Sequence, residues 1–369
     1  MKILLIRFSA LGDVAMMAPV LRDYALKHPD YDLTVLSKPF HAPLFDDIAP
    51  NVHFLGRDPK RDYNGIRGLY RLYRELHQMH FDMVIDMHDV LRTKILRKFF
   101  RMHGYPVRHI DKHRSLRRKI TAREGKKQLQ RLPTSFENYL EALCNSSDEF
   151  RVMSERIKSP LVEGENSKLI TQNSKLSIGI APFAAHQGKI YPVERMEKVI
   201  EMLIEKRPEC SIILFGGGGK EKEQMEKWAE KYSNVELAAT VISEKQKVKS
   251  EKYADDTVQD ERNNNFQLST FNSQLGSELQ LMKDLDVMLS MDSANMHLAS
   301  LVGTRVVSIW GATHPWAGFL GWGQSEDDCV QRHDLKCRPC SIYGNKPCLR
   351  GDMECMNIEP SKVVEQLLK

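Results

Sequence analysis

Asp286-Val287-Met288-Leu289-Ser290-Met291, followed by Asp292-Ser293 and then Ala294 to Val302, is the stretch that decides the fold. The first six residues form a short apolar run that reads as a buried strand, and Asp292-Ser293 is an N-cap-type turn. From Ala294 to Val302, helical spacing turns Met296, Leu298, Ala299 and Val302 inward until Gly303 stops the helix. Arg305 to Trp310 is a second β-branched run, closed by Gly311-Ala312-Thr313-His314-Pro315. Strand, helix and strand in this order make one parallel α/β unit. In such units ligands bind outside the carboxyl ends of the strands, so Asp292 to His297 and Gly311 to Thr313 are candidate ligand loops. The free amides of the helix start favour an anion.

Working outward, Lys2 to Phe8 is another strand, and Ser9-Ala10-Leu11-Gly12-Asp13 turns into a helix over Val14 to Tyr24. Such a turn exposes its polar residues at a sheet edge. A catalytic carboxylate and a simple helix N-cap both remain open readings of Asp13. Further strands are expected at Leu33–Ser37, Val52–Leu55, Phe81–Met87, Leu176–Ala181 and Ser211–Phe215, with helices between them. His88 and Asp89, at a strand end, are candidates for contact with a ligand or simply a solvated turn.

At 369 residues the chain is long enough for two α/β domains. Its net charge of +5 is mild, but Arg92 to Arg131 holds 15 Lys or Arg against Asp111 and Glu124. That local +13 marks a surface for an anionic partner: a phosphorylated glycolipid, an anionic membrane face or RNA. Phe99, Phe100 and Tyr105 cluster at one end of it rather than interleaving, which argues against nucleic acid. No apolar run reaches the ~18 residues of a membrane span, and Arg7 and Asp13 interrupt a signal-peptide reading, so a cytoplasmic location is expected.

Asp292-Ser293-Ala294-Asn295-Met296-His297, with Gly311-Ala312-Thr313-His314-Pro315 behind it, resembles the nucleotide-sugar signature of family 9 glycosyltransferases, the ADP-heptose:lipopolysaccharide heptosyltransferases. Ala294 stands where that family commonly has Gly. Arg7-Phe8-Ser9-Ala10-Leu11-Gly12-Asp13 is similar to the family's amino-terminal motif, in which the Asp after Gly is the proposed general base. Lys189, shortly before Tyr191-Pro192, matches a family lysine that neutralises the leaving diphosphate.

The resemblance implies a GT-B architecture: α/β, two Rossmann-like doubly wound domains with an interdomain cleft. It implies an inverting transfer of heptose from ADP-heptose to a lipopolysaccharide inner-core acceptor of Kdo-lipid A type. Asp13 would be catalytic. Lys189, Glu221, Asp292, Ser293, Ala294, Asn295, His297, Gly311 and Thr313 would bind the donor, with Glu223 an alternative to Glu221 for the ribose. Ser9, Gly12, Arg92, Arg117, Arg118 and Lys119 would lie on the acceptor side. The partners would be an ADP-sugar and an anionic glycolipid at the inner membrane face, with peripheral membrane association. No metal is required if lysine and helix amides carry the diphosphate. Alternatives are another nucleotide sugar, or a nucleotide-sugar-binding protein that has lost catalysis, which Ala184, Ala185 and Ala294 suggest.

The domains are expected at 1–158 and 176–369, joined by a polar linker over 159–175. A disordered insertion is expected over 243–277, where the composition is polar and Asn265-Phe266-Gln267-Leu268-Ser269 is nearly repeated. Cys337, Cys340, Cys348 and Cys355 have the count for a zinc knuckle, but reduced, packed thiols are the favoured reading. The last helix, Glu359 to Leu368, is expected to cross back to the first domain.

Overall fold

Strands of a parallel sheet are covered on both faces and so must be apolar on both, and β1 (Lys2–Ile6) is buried from Ile3 onward. In the computed structural model, which describes residues 1–158, 175–254 and 274–369, β1 is the centre of a five-stranded parallel sheet. With β2 (Asp32–Ser37), β3 (Val52–Gly56), β4 (Met83–Asp86) and β5 (Val107–His109), the order is β3-β2-β1-β4-β5. The chain winds from β1 to one edge, then returns to pair β4 with β1, Ile6 opposite Asp86.

The second sheet repeats this plan with β6 (Ser177–Ala181), β7 (Ser211–Leu214), β8 (Val235–Leu237), β9 (Val287–Met291), β10 (Arg305–Trp310) and β11 (Cys329–Gln331). Its order is β11-β10-β9-β6-β7-β8, so winding reverses between β6 and β9. Both sheets therefore have the doubly wound, Rossmann-like form, each with one topological switch point. The three-residue strands β5, β8 and β11 went unread in the sequence, because three residues carry no usable periodicity.

Contacts divide the chain into two units, Met1–Arg114 with Pro133–Leu161, and Ser115–Leu132 with Val162–Lys369. Ser115–Leu132, assigned to the first domain from the sequence, thus clusters with the second. In the first unit, helices Gly65–His77 and Leu91–Met102 bury Leu72, Tyr73, Leu76, Leu96 and Phe100 against Leu4, Ile6 and Val84. In the second, helix Val193–Lys206 sends Met196, Val199, Ile200 and Leu203 into a core with Ile180, Leu214, Leu289 and Ile309.

Two expectations fail here. The terminal helix Pro360–Leu367 does not return to the first domain: Val363, Val364 and Leu367 are buried in the second core. Nor is 243–277 disordered throughout, since Ala238–Ala254 and Gln274–Lys283 are helices and Leu275 is 1% exposed. Polar composition hid the apolar face of the second helix. The remainder of that expected insertion, 255–273, and the linker at 159–174 lie outside the described residues.

Candidate active site

At the first sheet's switch point, the chain leaving β1 meets the chain leaving β4. Arg7, its side chain 5% exposed, lies 2.7 Å from the Asp13 carboxylate and donates to the Met87 carbonyl. Burial works against the guanidinium's charge, but Asp13, Tyr139 and Asp86 together outweigh it and raise the Arg7 pKa. Asp13 is the third residue of helix Leu11–Ala15 and also accepts from the Ala10 N–H at 3.3 Å. It thus caps from inside the first turn, not from the N-cap position, and its side chain is still 29% exposed. Gly12, buried, is in the same turn.

Ser9 Oγ lies 3.2 Å from His88 Nε2. Burial, with Arg7 and Lys112 nearby, pushes the His88 imidazole down to about 3, so it is a neutral hydrogen-bonding group in any ordinary buffer. Asp86, fully buried, accepts from the backbone N–H groups of His88 and Asp89 at 2.9 Å each. Asp89 is held by Arg114 at 2.9 Å, Arg97 at 3.3 Å and Lys94 at 3.5 Å. Burial would raise its pKa, and these cations bring it below the ordinary value. Asp89 is therefore an anchor for the loop, while His88 faces the same edge as Asp13. Arg92, half-buried in the first turn of Leu91–Met102, adds to the positive field at His88.

At the second sheet's switch point, Lys189 ends the turn Gln187–Lys189 that follows β6, and Asp292 follows β9. Their charged groups are 2.8 Å apart, with side chains 14% and 3% exposed. Ser293 is the N-cap of helix Ala294–Leu301 without making a side-chain cap bond, and its hydroxyl meets Ser290 Oγ at 3.2 Å. Ala294 and Asn295, in the first turn, are half-exposed, and His297 is buried. Glu221 accepts from Gly217 N–H at 3.1 Å, so it closes the Gly216–Gly219 turn. Gly311 has no room for a side chain, since a Cβ there would stand 2.8 Å from the backbone oxygen of Gly188. Thr313 is fully buried, and its Oγ1 has no hydrogen-bond partner among the described residues.

The basic run is divided between the two units after Arg114. Arg117 lies in the second unit, over the rings of Phe319 at 5.2 Å and Tyr343 at 5.9 Å, and donates to the Tyr343 hydroxyl at 2.8 Å. Arg118 and Lys119 beside it are exposed. Lys127 donates to the carbonyls of Cys337 at 2.6 Å and Pro339 at 2.8 Å, strapping this segment to the Cys-rich one.

Two residues of consequence were not singled out from the sequence. Burial and Arg7 lower the Lys112 ammonium to about 8, with Asp89 and Asp13 opposing, which makes it the titrating group beside Asp13. Arg338, 5% exposed, donates to the carbonyls of Gly311, Trp310 (2.8 Å) and Thr313 (3.0 Å). The N–H groups of Cys340 and Ser341 take the Ala312 carbonyl at 3.0 and 3.2 Å, so Arg338–Ser341 satisfies every carbonyl from Trp310 to Thr313. Ala312 N–H in turn donates to Gly188 O at 2.8 Å, next to Lys189. Burial lowers Arg338 to about 10, which leaves it a cation at neutral pH. Its position between Cys337 and Cys340 is the only sequence signal it carries.

All seven cysteines are free, and Cys337, Cys340, Cys348 and Cys355 line one small cavity together with Arg338. Among the described residues, no group of His, Cys, Asp or Glu is arranged to hold a metal ion. Two Asp-x-Asp spacings, Asp30–Asp32 and Asp284–Asp286, stand at the amino ends of β2 and β9, the edge opposite the candidate loops.

The family model for glycosyltransferase family 9 (heptosyltransferase) matches residues 69–245 and 243–346. The chain belongs to glycosyltransferase family 9. The matched span of this glycosyltransferase includes Lys189, Glu221, Asp292–His297 and Gly311–Thr313, but begins after Asp13. Lipopolysaccharide heptosyltransferase 1 of Campylobacter coli is 24% identical over 331 residues, 85% of this chain and 84% of that protein. Among solved structures, E. coli ADP-heptose lps heptosyltransferase II is 16% identical with a TM-score of 0.62, over 100% of this chain and 98% of its own. E. coli heptosyltransferase WaaC with ADP is 16% identical with a TM-score of 0.55, over 88% of this chain and 92% of its own. The family 9 chain therefore has the GT-B fold, with two Rossmann-like domains. Among the described residues no helix is long and apolar enough to cross a membrane.

Proposed function

We propose that this family 9 glycosyltransferase moves heptose from ADP-heptose, with inversion, to the inner core of a lipopolysaccharide acceptor of Kdo-lipid A type. The observation that carries the reading is that both switch points hold the residues of the resemblance: Asp13 on Arg7 in the first unit, Lys189 on Asp292 in the second. Relatives named as heptosyltransferases, one of them with ADP, support the donor class.

In this reading Asp13 takes the proton of an acceptor hydroxyl as the hydroxyl oxygen attacks the anomeric carbon. The bond from that carbon to the diphosphate breaks, and ADP leaves with the electron pair. Lys189 and the first-turn amides of Ala294–Leu301 stabilise the departing charge, so no divalent cation is required. Ser9, His88, Arg92 and Lys112 form the acceptor side, and the acceptor reaches the enzyme at the cytoplasmic face of the inner membrane.

Thermal shift with ADP, UDP, GDP and CMP sugars tests the donor. A ligand at 100 times its dissociation constant stabilises by about 2.7 kcal/mol. ADP-heptose should stabilise most, and transfer should survive EDTA. A response to UDP sugars alone would overturn the heptose reading and leave the fold untouched.

A further inference from the structure

Helices Gly65–His77 and Leu91–Met102 lie together on one face of the first sheet, each with one stripe in the core: Leu69, Leu72 and Leu76 from the first, Leu96 and Phe100 from the second. A helix that only covers a sheet presents polar residues on its outer stripe. These two do not. Ile66 and Tyr70, one turn apart, are 66% and 45% exposed, and Leu91 and Met102, at the two ends of the second helix, are 76% and 69% exposed. Ile95 and Phe99, between them at helical spacing, are half-exposed. The rings of Tyr70 and Phe99 meet edge to face at 5.4 Å, which joins the two stripes into one apolar seam.

Cations border the seam. Arg67, Arg71, Arg74, Lys98 and Arg101 are all exposed. Glu75 is the only carboxylate on either helix, and Arg57 and Tyr63 occupy it. Single exposed apolar residues are ordinary, but a continuous seam with a rim of one charge sign is a docking feature.

We propose that the outer face of these two helices docks on the surface of an anionic phospholipid bilayer. The apolar residues of the seam enter the headgroup and acyl boundary, while long Arg and Lys stems reach up to the phosphates. RNA is the poorer fit, because the aliphatic Ile66, Leu91, Ile95 and Met102 make up most of the seam, and its two rings, Tyr70 and Phe99, already pack edge to face on each other. Both helices run antiparallel to the strands, so Ile66 and Leu91 lie at the carboxyl edge of the sheet, where Asp13 and His88 are. The surface would thus hold that edge near lipid headgroups. In this respect it extends the glycolipid-acceptor reading, but binding to lipid is tested without donor or acceptor.

The full chain is sedimented with extruded vesicles of phosphatidylglycerol or of phosphatidylcholine, at low and high salt. It should partition onto phosphatidylglycerol about tenfold more strongly, and less so as salt rises. Leu91→Gln with Met102→Gln changes only exposed side chains and should cut that partition by about tenfold or more. Arg67→Glu with Lys98→Glu should remove the preference for the anionic lipid. In both variants stabilisation by ADP should equal that of the parent. A full chain that ignores phosphatidylglycerol, or variants that partition like the parent, would overturn the docking surface. So would a seam that proves to mediate self-association or RNA binding with no vesicle binding. Failure of ADP sugars to stabilise, with vesicle binding intact, would instead refute the donor reading alone.

Discussion

The Lys189 ammonium stands 2.8 Å from the Asp292 carboxylate, and the pair straddles the point where the second sheet reverses its winding. β6 and β9 are neighbours, Ala181 opposite Ser290, so the loops that leave them must meet. Asp292 is then the partner that holds the lysine, and in the proposed function the lysine is the group offered to an anionic donor.

This division of labour is testable. Lys189→Met leaves Asp292 buried without its cation and should cost about 3–5 kcal/mol of stability as well as donor affinity. Adding Asp292→Leu should restore the melting temperature but not the donor affinity. Calorimetric titration with ADP, beside thermal melts of both variants, would separate the two effects. If the double variant regained donor affinity, the lysine would be structural only.

Asp13→Asn should lower turnover by about 10²–10⁴ while donor affinity stays near that of the parent. Unchanged stability, natural to expect of a nearly isosteric change, is not expected here. Arg7, 5% exposed, would lose its carboxylate partner, so a fall of about 1–3 kcal/mol should accompany the catalytic loss. Turnover, ADP affinity and melting temperature measured on one preparation give all three numbers.

Lys112 predicts a basic limb in the acceptor dependence. With its ammonium lowered to about 8, it is charged below that pH and neutral above it. The Michaelis constant for an anionic acceptor should rise above about pH 8, and Lys112→Met should flatten that limb without affecting ADP binding. For stability the sign is the reverse of a salt bridge: the unfolded lysine binds its proton more tightly. The cost of burying Lys112 charged is therefore relieved as pH rises from about 8 toward the ordinary lysine value. A pH-independent acceptor constant from pH 7 to 9 would remove Lys112 from the acceptor side.

Arg338→Lys keeps the charge but cannot reach the carbonyls of Trp310, Gly311 and Thr313 together. It should weaken ADP binding by about tenfold through the loop that carries Gly188 and Lys189. Gly188→Ala should give a similar defect from the other side, because a Cβ there stands 2.7 Å from Gly344 O and 2.9 Å from Ala312 Cβ. In a double-mutant cycle with Lys189→Met, the effect of Arg338→Lys on ADP affinity should be non-additive. Additive losses would mean that Arg338 supports the fold without acting on the donor loop.

Much of the sheet architecture was legible because buried parallel strands read as continuous apolar runs, as in Lys2–Ile6 and Val287–Met291. The polar turns after them, Ser9–Asp13 and Asp292-Ser293, located the candidate loops for the same local reason. Gln274–Lys283 was missed because its buried Leu275, Leu279 and Met282 are diluted among polar residues, and composition averages over faces. The terminal helix was placed by analogy, whereas its own apolar stripe fits the core formed by helix Val193–Lys206.

By itself the sequence determined the class of fold and the order of the longer strands, because strand periodicity and turn chemistry act over a few neighbouring residues, and those turns also marked Asp13 and Asp292, whereas Lys189 was marked by the family resemblance. Strand order is different in kind. It brings together segments that no local rule connects, and so only the tertiary structure paired Lys189 with Asp292, Ser9 with His88 and Arg338 with Trp310–Thr313. It also divided the basic run between two units, since charge along the chain carries no record of which core each helix faces.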